Sequence, residues 1–524
     1  MANETISTAN GADDHKKHLL LSAFVMATPG HLSAGQWKHP RNKTADYSKL
    51  GFWTSLAQML DDAGFHCIFF ADTLGPYDVY KGPGNVGPAL SSAAQFPVND
   101  PLYAIPAMAA VTKNIVFGIT ASTTYEAPYA LARKFSTVDH LTDGRVAWNI
   151  VTSYLESAAR NFGLSGQADS TERYRVAEEF MDVVYKLWEG SWSDDAAIRD
   201  VERGVFAVPG KVRRIDHKGE NFSVAGPHIC EPSPQRTPFL FQAGTSKTGV
   251  EFAAKHAEAV FVNGESTQKV AATVASIRKT ARDLGRDPSM VKIMAGVTII
   301  IDSTDEKAQQ KRDEFIKYGD LEGALALLGG WTGIDIGIYP DDQDFLLVKH
   351  PALQSMAKRC AKPDPETHEL RCTKAHIAEF LLLGGAFPTI VGSPQTIADQ
   401  LEKWVDEVDV DGFNLAHVVS PGSYEDIIEF LLPELKRRGL LPGKPGQART
   451  AREVFGGNAR VSSDHPAYQF RFAATEDTEA ASKHDSAHFY GDCFEAGFTS
   501  FGGMGLGGWS TGTSEVENAQ QGQI

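Results

Sequence analysis

Apolar residues along this chain follow two alternating patterns. Short continuous apolar runs read as buried strands, and longer stretches with apolar residues every three or four positions read as helices burying one face. Strand 19–26 precedes a helix over 47–63, 67–71 (C-I-F-F-A) precedes 103–112, 115–120 precedes 129–141, and 146–151 precedes 172–188. Strand 239–242 with helix 247–256, 259–262 with 267–284, 291–301 with 306–318, and 412–418 with 424–437 complete the series. Eight pairs with predominantly apolar, continuous strands predict a parallel sheet covered by helices, and that number favours a closed (β/α)₈ barrel over an open sheet. An open dinucleotide-binding sheet carries G-x-G-x-x-G after its first strand, whereas here that strand runs into Thr28-Pro29-Gly30-His31. The pattern does occur at 82–87 and 503–508, but neither match directly follows a strand and opens a helix.

Two insertions break the rhythm, at 190–236 and 329–388. The second contains a helical run at 374–383 and the segment W-T-G-I-D-I-G-I-Y-P-D-D, which is expected to form a lid. The barrel is expected over 18–472, after a polar segment at 1–17. The Gly- and Ser-rich stretch 473–524 is expected to be a flexible tail.

Composition narrows the function classes. With 42% hydrophobic residues in 524, the chain can fill a large core. Fifty Lys and Arg against 66 Asp and Glu give a net charge of −16, which argues against general nucleic-acid binding. Cys67, Cys230, Cys360, Cys372 and Cys493 are widely spaced without C-x-x-C, which suits a reducing compartment rather than a disulfide scaffold or zinc knuckle. Residues 1–17 lack the apolar core of a secretory signal, no apolar run is long enough to span a membrane, and Gly-Gln-Ile is not a peroxisomal address. A cytoplasmic protein is expected.

In such a barrel, chemistry sits on the loops at the C-terminal ends of the strands. The first strand leads to His31, a base, a hydrogen-bond donor or a structural imidazole. The second delivers Asp72 to the barrel mouth, unless it serves only as a loop or helix cap. Asn149, within the fourth strand, orients a polar ligand or satisfies a neighbouring backbone group. After the fifth strand, Gly244-Thr245-Ser246 opens a helix, placing N–H groups, hydroxyls and a helix dipole together. That arrangement makes a phosphate site, and it equally describes an ordinary Ser N-cap. Tyr174 lies on a helix with Ser170 and Thr171 as candidate N-caps. H-E-x-x-H and the Walker loop are missing, and G-W-S-T-G at 508–512 lies in the Gly- and Ser-rich stretch rather than at a nucleophile elbow, so a bound cofactor is expected to carry the chemistry.

These motifs carry a resemblance. G-Q-W-K-H-P, F-F-A-D-T-L-G, the block Y-E-A-P-Y-A-L-A-R-K-F-S-T-V-D-H-L-T-D-G-R-V-A-W-N-I-V-T-S, E-R-Y-R-V-A-E-E-F, Q-A-G-T-S-K-T-G, G-S-P-Q-T-I-A-D-Q-L and R-E-V-F-G-G-N-A-R-V-S-S-D-H-P-A span about 18–472. The chain resembles the bacterial-luciferase-like flavin monooxygenases, in the branch of nitrilotriacetate monooxygenase component A and of the dibenzothiophene-sulfone, dimethyl-sulfide and long-chain alkane monooxygenases. The resemblance implies a two-component enzyme. A separate NAD(P)H-dependent flavin reductase supplies FMNH₂, and O₂ is used through a peroxyflavin to oxidise a sulfur compound, an alkane or an aminopolycarboxylate. It implies Asp72 and Asn149 along the flavin ring and ribityl chain, Tyr174 and Ser246 at the phosphate, Thr123 as a further FMN contact, and His31 near a catalytic histidine of some members. Many members have His where this chain has Ser170, so Ser170 is the expected phosphate partner there. A homo-oligomer without a metal is expected. A deazaflavin-dependent oxidoreductase on the same barrel and a non-catalytic flavin-binding protein are the alternatives.

Overall fold

A computed structural model describes residues 17–244, 246–264, 266–365, 367–442 and 450–472. The expected flexible tail, nearly all of the N-terminal segment and Thr245 lie outside the described residues. The principal strands are β1 (Leu20–Met26), β2 (Cys67–Ala71), β3 (Val116–Ser122), β4 (Val146–Val151), β5 (Phe239–Gln242), β6 (Ala259–Val262), β7 (Lys292–Ile301), β8 (Thr389–Gly392) and β9 (Gly412–Ala416). Every pairing among them is parallel. β1 to β7 follow one another in order, and β9 closes the ring between β7 and β1. The expected eight-stranded barrel is therefore present.

Alternation along the strands sorts side chains to two sides. Leu20, Phe24, Cys67, Phe69, Phe239, Phe241, Phe261 and Met294 form the cluster inside the barrel. Leu21, Ala23, Ile68, Phe70, Phe117 and Ile119 belong to the larger cluster beneath the helices. Phe455, from the segment after the last barrel helix, stacks on Phe239 at 4.7 Å and belongs to the inner cluster, closing the N-terminal end.

Two features differ from the pattern in the sequence. β8 was not expected. It is a four-residue strand that pairs with the outer half of β7, Thr389 opposite Thr298 through Gly392 opposite Ile301, while β9 pairs with 294–298. A run of four residues after Pro388 has too little periodicity to stand out. The last barrel helix, expected over 424–437, runs unbroken over Gly422–Arg437, but contains a wide π turn at Ile427–Leu431 that the spacing does not foretell.

The second insertion, together with the helix that leads into it, builds an apolar cluster of its own. Leu325, Leu327 and Leu328 from the helix Leu321–Thr332, with Phe345, Leu353 and Ile377, pack on Tyr77, Tyr80, Leu155 and Ala158 from loops at the barrel mouth. It is a packed cap over part of the mouth.

Candidate functional site

β2 is apolar until it ends, so Asp72 is delivered to the mouth half-buried. Its carboxylate accepts from the Thr73 N–H at 2.9 Å, but burial, with help from Asp100, pushes its pKa up to about 7. On the neighbouring strands Thr120 and Asn149 are register partners. The Thr120 hydroxyl donates to the Phe70 carbonyl at 2.8 Å and accepts from Asn149 Nδ2 at 2.9 Å. Asn149 Oδ1 is left buried without a protein partner, an acceptor awaiting a ligand donor.

β5 ends at Gln242, whose amide organises the next turn. Its Nε2 donates to Tyr174 Oη at 3.1 Å and its Oε1 accepts from the Gly244 N–H at 2.6 Å. Gly244 sits so close to these groups that a Cβ there would lie 2.5 Å from both Tyr174 Oη and Gln242 Nε2. The helix Lys247–His256 follows, and Ser246 is its N-cap, accepting from the Gly249 N–H at 3.1 Å. The capping role is thus real, yet it uses only the hydroxyl oxygen. The O–H protons of Ser246 and Tyr174 are not consumed by these bonds and are available to an anion at the helix N-terminus.

Asp72, Tyr174, Gln242 and Gly244 line one cleft of about 250 Å³ together with Ile150 to Leu155. A smaller recess of about 60 Å³ continues from Asp72 to Thr120, Ser122 and Ser153. Ser153 lies at φ 57°, a left-handed backbone that turns the chain after β4, and its hydroxyl shares a 2.8 Å hydrogen bond with Ser122. Tyr154 follows in the cleft wall, its hydroxyl 2.9 Å from that of Tyr77, which also takes the Trp331 indole N–H from the cap at 3.1 Å. No sequence signal foretells this aromatic group, because its members meet only through the fold. Gln242 stood in the quoted Q-A-G-T-S-K-T-G motif, but its bracing role depends on Tyr174 being opposite.

Asn149 and Ser246 adjoin the cleft through Ile150 and Gly244 but are not among the residues that line it, and the remaining expected residues lie elsewhere. Thr123 is turned back on β4, its N–H and hydroxyl 3.0 and 3.4 Å from the Val151 carbonyl, and it does not line the cleft. Ser170 is exposed at the start of the helix Ser170–Tyr185 and is not its cap. Asp169 takes that place, accepting from the N–H groups of Thr171 and Glu172, and an anionic acceptor suits the positive end of the helix dipole. His31 lies on the other side of the mouth, edge-on to Phe24 at 4.5 Å and 5.7 Å from the His417 ring. Burial, reinforced by His417, holds its pKa well below the usual imidazole range, so it is neutral at pH 7. Among the described residues no group of His, Cys, Asp or Glu is arranged to hold a metal, and no helix is long and apolar enough to cross a membrane.

A family model for luciferase-like monooxygenases matches residues 24–410. The chain belongs to this family. This monooxygenase is 47% identical over 464 residues to the dimethyl-sulfide monooxygenase of Hyphomicrobium sulfonivorans, covering 87% of the chain and 95% of the relative. It is 43% identical over 456 residues to the long-chain alkane monooxygenase of Geobacillus thermodenitrificans (strain NG80-2), covering 87% and 98%. The crystal structure of DmoA from Hyphomicrobium sulfonivorans superposes with a TM-score of 0.82 at 46% identity, covering 87% of this chain and 96% of that one.

Proposed function

We propose that this monooxygenase is the oxygenase component of a two-component system that uses reduced FMN and O₂ to oxidise a small organic molecule. The observation that carries the reading is the cleft at the ends of β2, β4 and β5. The residues that line and adjoin it form a set that suits a flavin mononucleotide. Asn149 offers an orphaned acceptor to the polar edge or ribityl chain, and Asp72 a carboxyl whose pKa is raised by burial to about 7, so that it is about half protonated near pH 7. Gly244 leaves room for close approach at a helix N-terminus, where Tyr174 and Ser246 offer neutral donors to a phosphate. Reduced FMN, when bound, supplies the electrons with which O₂ is activated and one oxygen atom is passed to the substrate. The chain's own part is to hold the phosphate through Ser246 and Tyr174, orient the ring side through Asp72 and Asn149, and exclude water beneath the packed cap. Thr123 and Ser170 have no contact with the cleft that supports a share in this.

A separate flavin reductase is the natural electron source, since no G-x-G-x-x-G in the chain has a strand-then-helix context. The test is direct. Purified protein given FMN and NADH is expected to consume no NADH until a flavin reductase is added, and then to form oxygenated product in the presence of a sulfide or alkane. Sustained NADH consumption without a reductase defeats the two-component reading.

A further inference from the structure

The barrel mouth has two chemically different halves. The cleft occupies the half built by β2 to β5. The half built by β1, β7 and β9 is covered by the loop that follows the helix Lys374–Leu381, with the sequence Gly384-Gly385-Ala386-Phe387-Pro388. This loop lies directly on β7. The Thr298 N–H donates to the Pro388 carbonyl at 2.9 Å, and a Cβ on Gly384 would lie 2.2 Å from Thr298 Oγ1. Gly384 and Gly385 both have left-handed φ angles, 82° and 61°, which turn the loop inward. The ring of Phe387 then enters the mouth, stacked on Phe24 at 5.4 Å with 17° between planes. It occupies the space left by the missing side chain of Gly296, where a Cβ would meet its Cε2 and Cζ at 2.7 Å. On its other side Phe387 is half-buried and lines an outer groove of about 400 Å³ with Ile316, Phe380 and Leu383. One ring therefore stands between that groove and the mouth.

On its groove side the ring has Arg312 and Glu379 nearby, whereas on its mouth side it meets uncharged groups. Phe24 touches Phe69 and His31, and His31 faces His417. Burial holds both imidazoles below their usual pKa, that of His417 at about 4. The two cations at the ends of β7 and β9 are both committed. Lys311 donates to the Ile301 carbonyl and pairs with Asp426 at 2.9 Å, and Arg41 donates to the Gly422 carbonyl and pairs with Asp426 at 2.9 Å. Polar atoms buried without partners among the described residues of this half include His31 Nδ1 and Thr298 Oγ1, with Ser22 Oγ and Asn414 Oδ1 on β1 and β9. A polycarboxylate buried on the mouth side would find no free guanidinium or ammonium among the described residues to repay its desolvation. A neutral molecule would gain apolar contact and one or two hydrogen bonds.

We propose that Phe387 is a specificity-determining residue of this monooxygenase. Its ring sets the depth of a neutral half of the barrel mouth, bounded by Phe24, His31 and His417, that accepts a small uncharged organic substrate. This rests on the monooxygenase reading above, and the binding measurement below is independent of it. Replacing the ring by a smaller side chain lengthens the space available, and each additional methylene then buried raises affinity roughly fourfold.

The experiment measures binding of diethyl sulfide, dibutyl sulfide and nitrilotriacetate by calorimetry to the flavin-free parent, Phe387→Leu and Phe387→Ala. The parent is expected to prefer diethyl to dibutyl sulfide. Phe387→Ala is expected to shift that ratio toward dibutyl sulfide by at least about tenfold, with Phe387→Leu intermediate. Phe387→Leu keeps most of the apolar volume, so it reads the effect even if the alanine variant does not fold. A ratio unchanged within twofold in every folded variant, absence of binding by both sulfides, or tighter binding of nitrilotriacetate than of either sulfide overturns the proposal. Turnover with FMN, NADH and a reductase is measured alongside. Failure of turnover with the binding shift intact defeats the monooxygenase reading and leaves the role of Phe387 in binding standing.

Discussion

Two side chains at the candidate flavin site make opposite demands on the molecule. Ser246 supports the fold, since its oxygen caps the helix Lys247–His256. Loss of such a cap costs about 1 kcal/mol. Loss of a neutral donor to a phosphate dianion adds about 1.5–3 kcal/mol to the binding free energy, or roughly 10- to 100-fold in Kd. Ser246→Ala and Tyr174→Phe are each expected to weaken FMN by that factor and to leave riboflavin, which has no phosphate, nearly unchanged. Flavin fluorescence titrations of both ligands check this, and an equal loss for riboflavin would leave Ser246 only its capping role. Asp72 works against stability. Burial raises its folded pKa to about 7, from an ordinary carboxylate value near 3.8. The unfolded chain therefore ionises first as pH rises, so stability is lost between about pH 4 and pH 7, and the penalty is complete above pH 7. In the flavin-free protein Asp72→Asn is expected to raise Tm at pH 8 and to leave it unchanged at pH 4. A gain of equal size at both pH values would show that ionisation is not the cause.

At the scale of elements, the turn after β5 shows what the sequence could and could not convey. The strands were legible because a barrel strand is buried on both faces and stays apolar, throughout in C-I-F-F-A and with the single exception of Asn149 in V-A-W-N-I-V. The strand-end rule then brought out Asp72, Tyr174 and Ser246 with the help of the family's motifs. It could not separate His31, at the end of β1, from Asp72, at the end of β2, although the two face different halves of the mouth. That distinction depends on which loop folds over which strand end. Gln242 and Gly244 acquire their roles only from the arrival of Tyr174 on a helix about 70 residues earlier in the chain. β8 escaped notice because its partner, the outer half of β7, is what makes it a strand. The same geometry gives a prediction for the turn itself. Gly244→Ala places a methyl group 2.5 Å from Tyr174 Oη and Gln242 Nε2, so one of them must move. Affinity for FMN is expected to fall by more than about tenfold, and by more than in Ser246→Ala, because two groups are displaced rather than one removed. Far-UV circular dichroism that matches the parent, with flavin affinity also unchanged, would mean that the turn relaxes without affecting the site.

At the scale of the whole molecule, the segment after the last barrel helix closes the fold. Arg452 is buried at the N-terminal end of the barrel, where its guanidinium pairs with Glu258 and donates to the carbonyls of Thr237 and Pro238. Those groups immediately precede β5 and β6, and Glu258 Oε2 accepts in turn from the Leu240 N–H at 3.2 Å. One side chain thus ties two neighbouring strands to the plug formed by Ala451 and Phe455. The segment remains attached as far as Phe472, whose N–H donates to the Glu189 carbonyl at 2.8 Å and whose ring lies 4.2 Å from the Arg213 guanidinium. Removing one partner of a buried pair leaves the other charge without compensation, at a cost of about 3–5 kcal/mol. Arg452→Ala is therefore expected to lower unfolding free energy by about that amount in urea, with an unchanged m-value if the native state stays compact. A chain ended after Phe472 retains all of these contacts and is expected to match the full chain in both urea midpoint and FMN affinity. A truncated chain that folds but binds FMN more weakly would assign residues 473–524 to the flavin site. A chain ended at Leu441 loses the plug and the Arg452 pair together, and is expected to unfold at a lower urea concentration than Arg452→Ala.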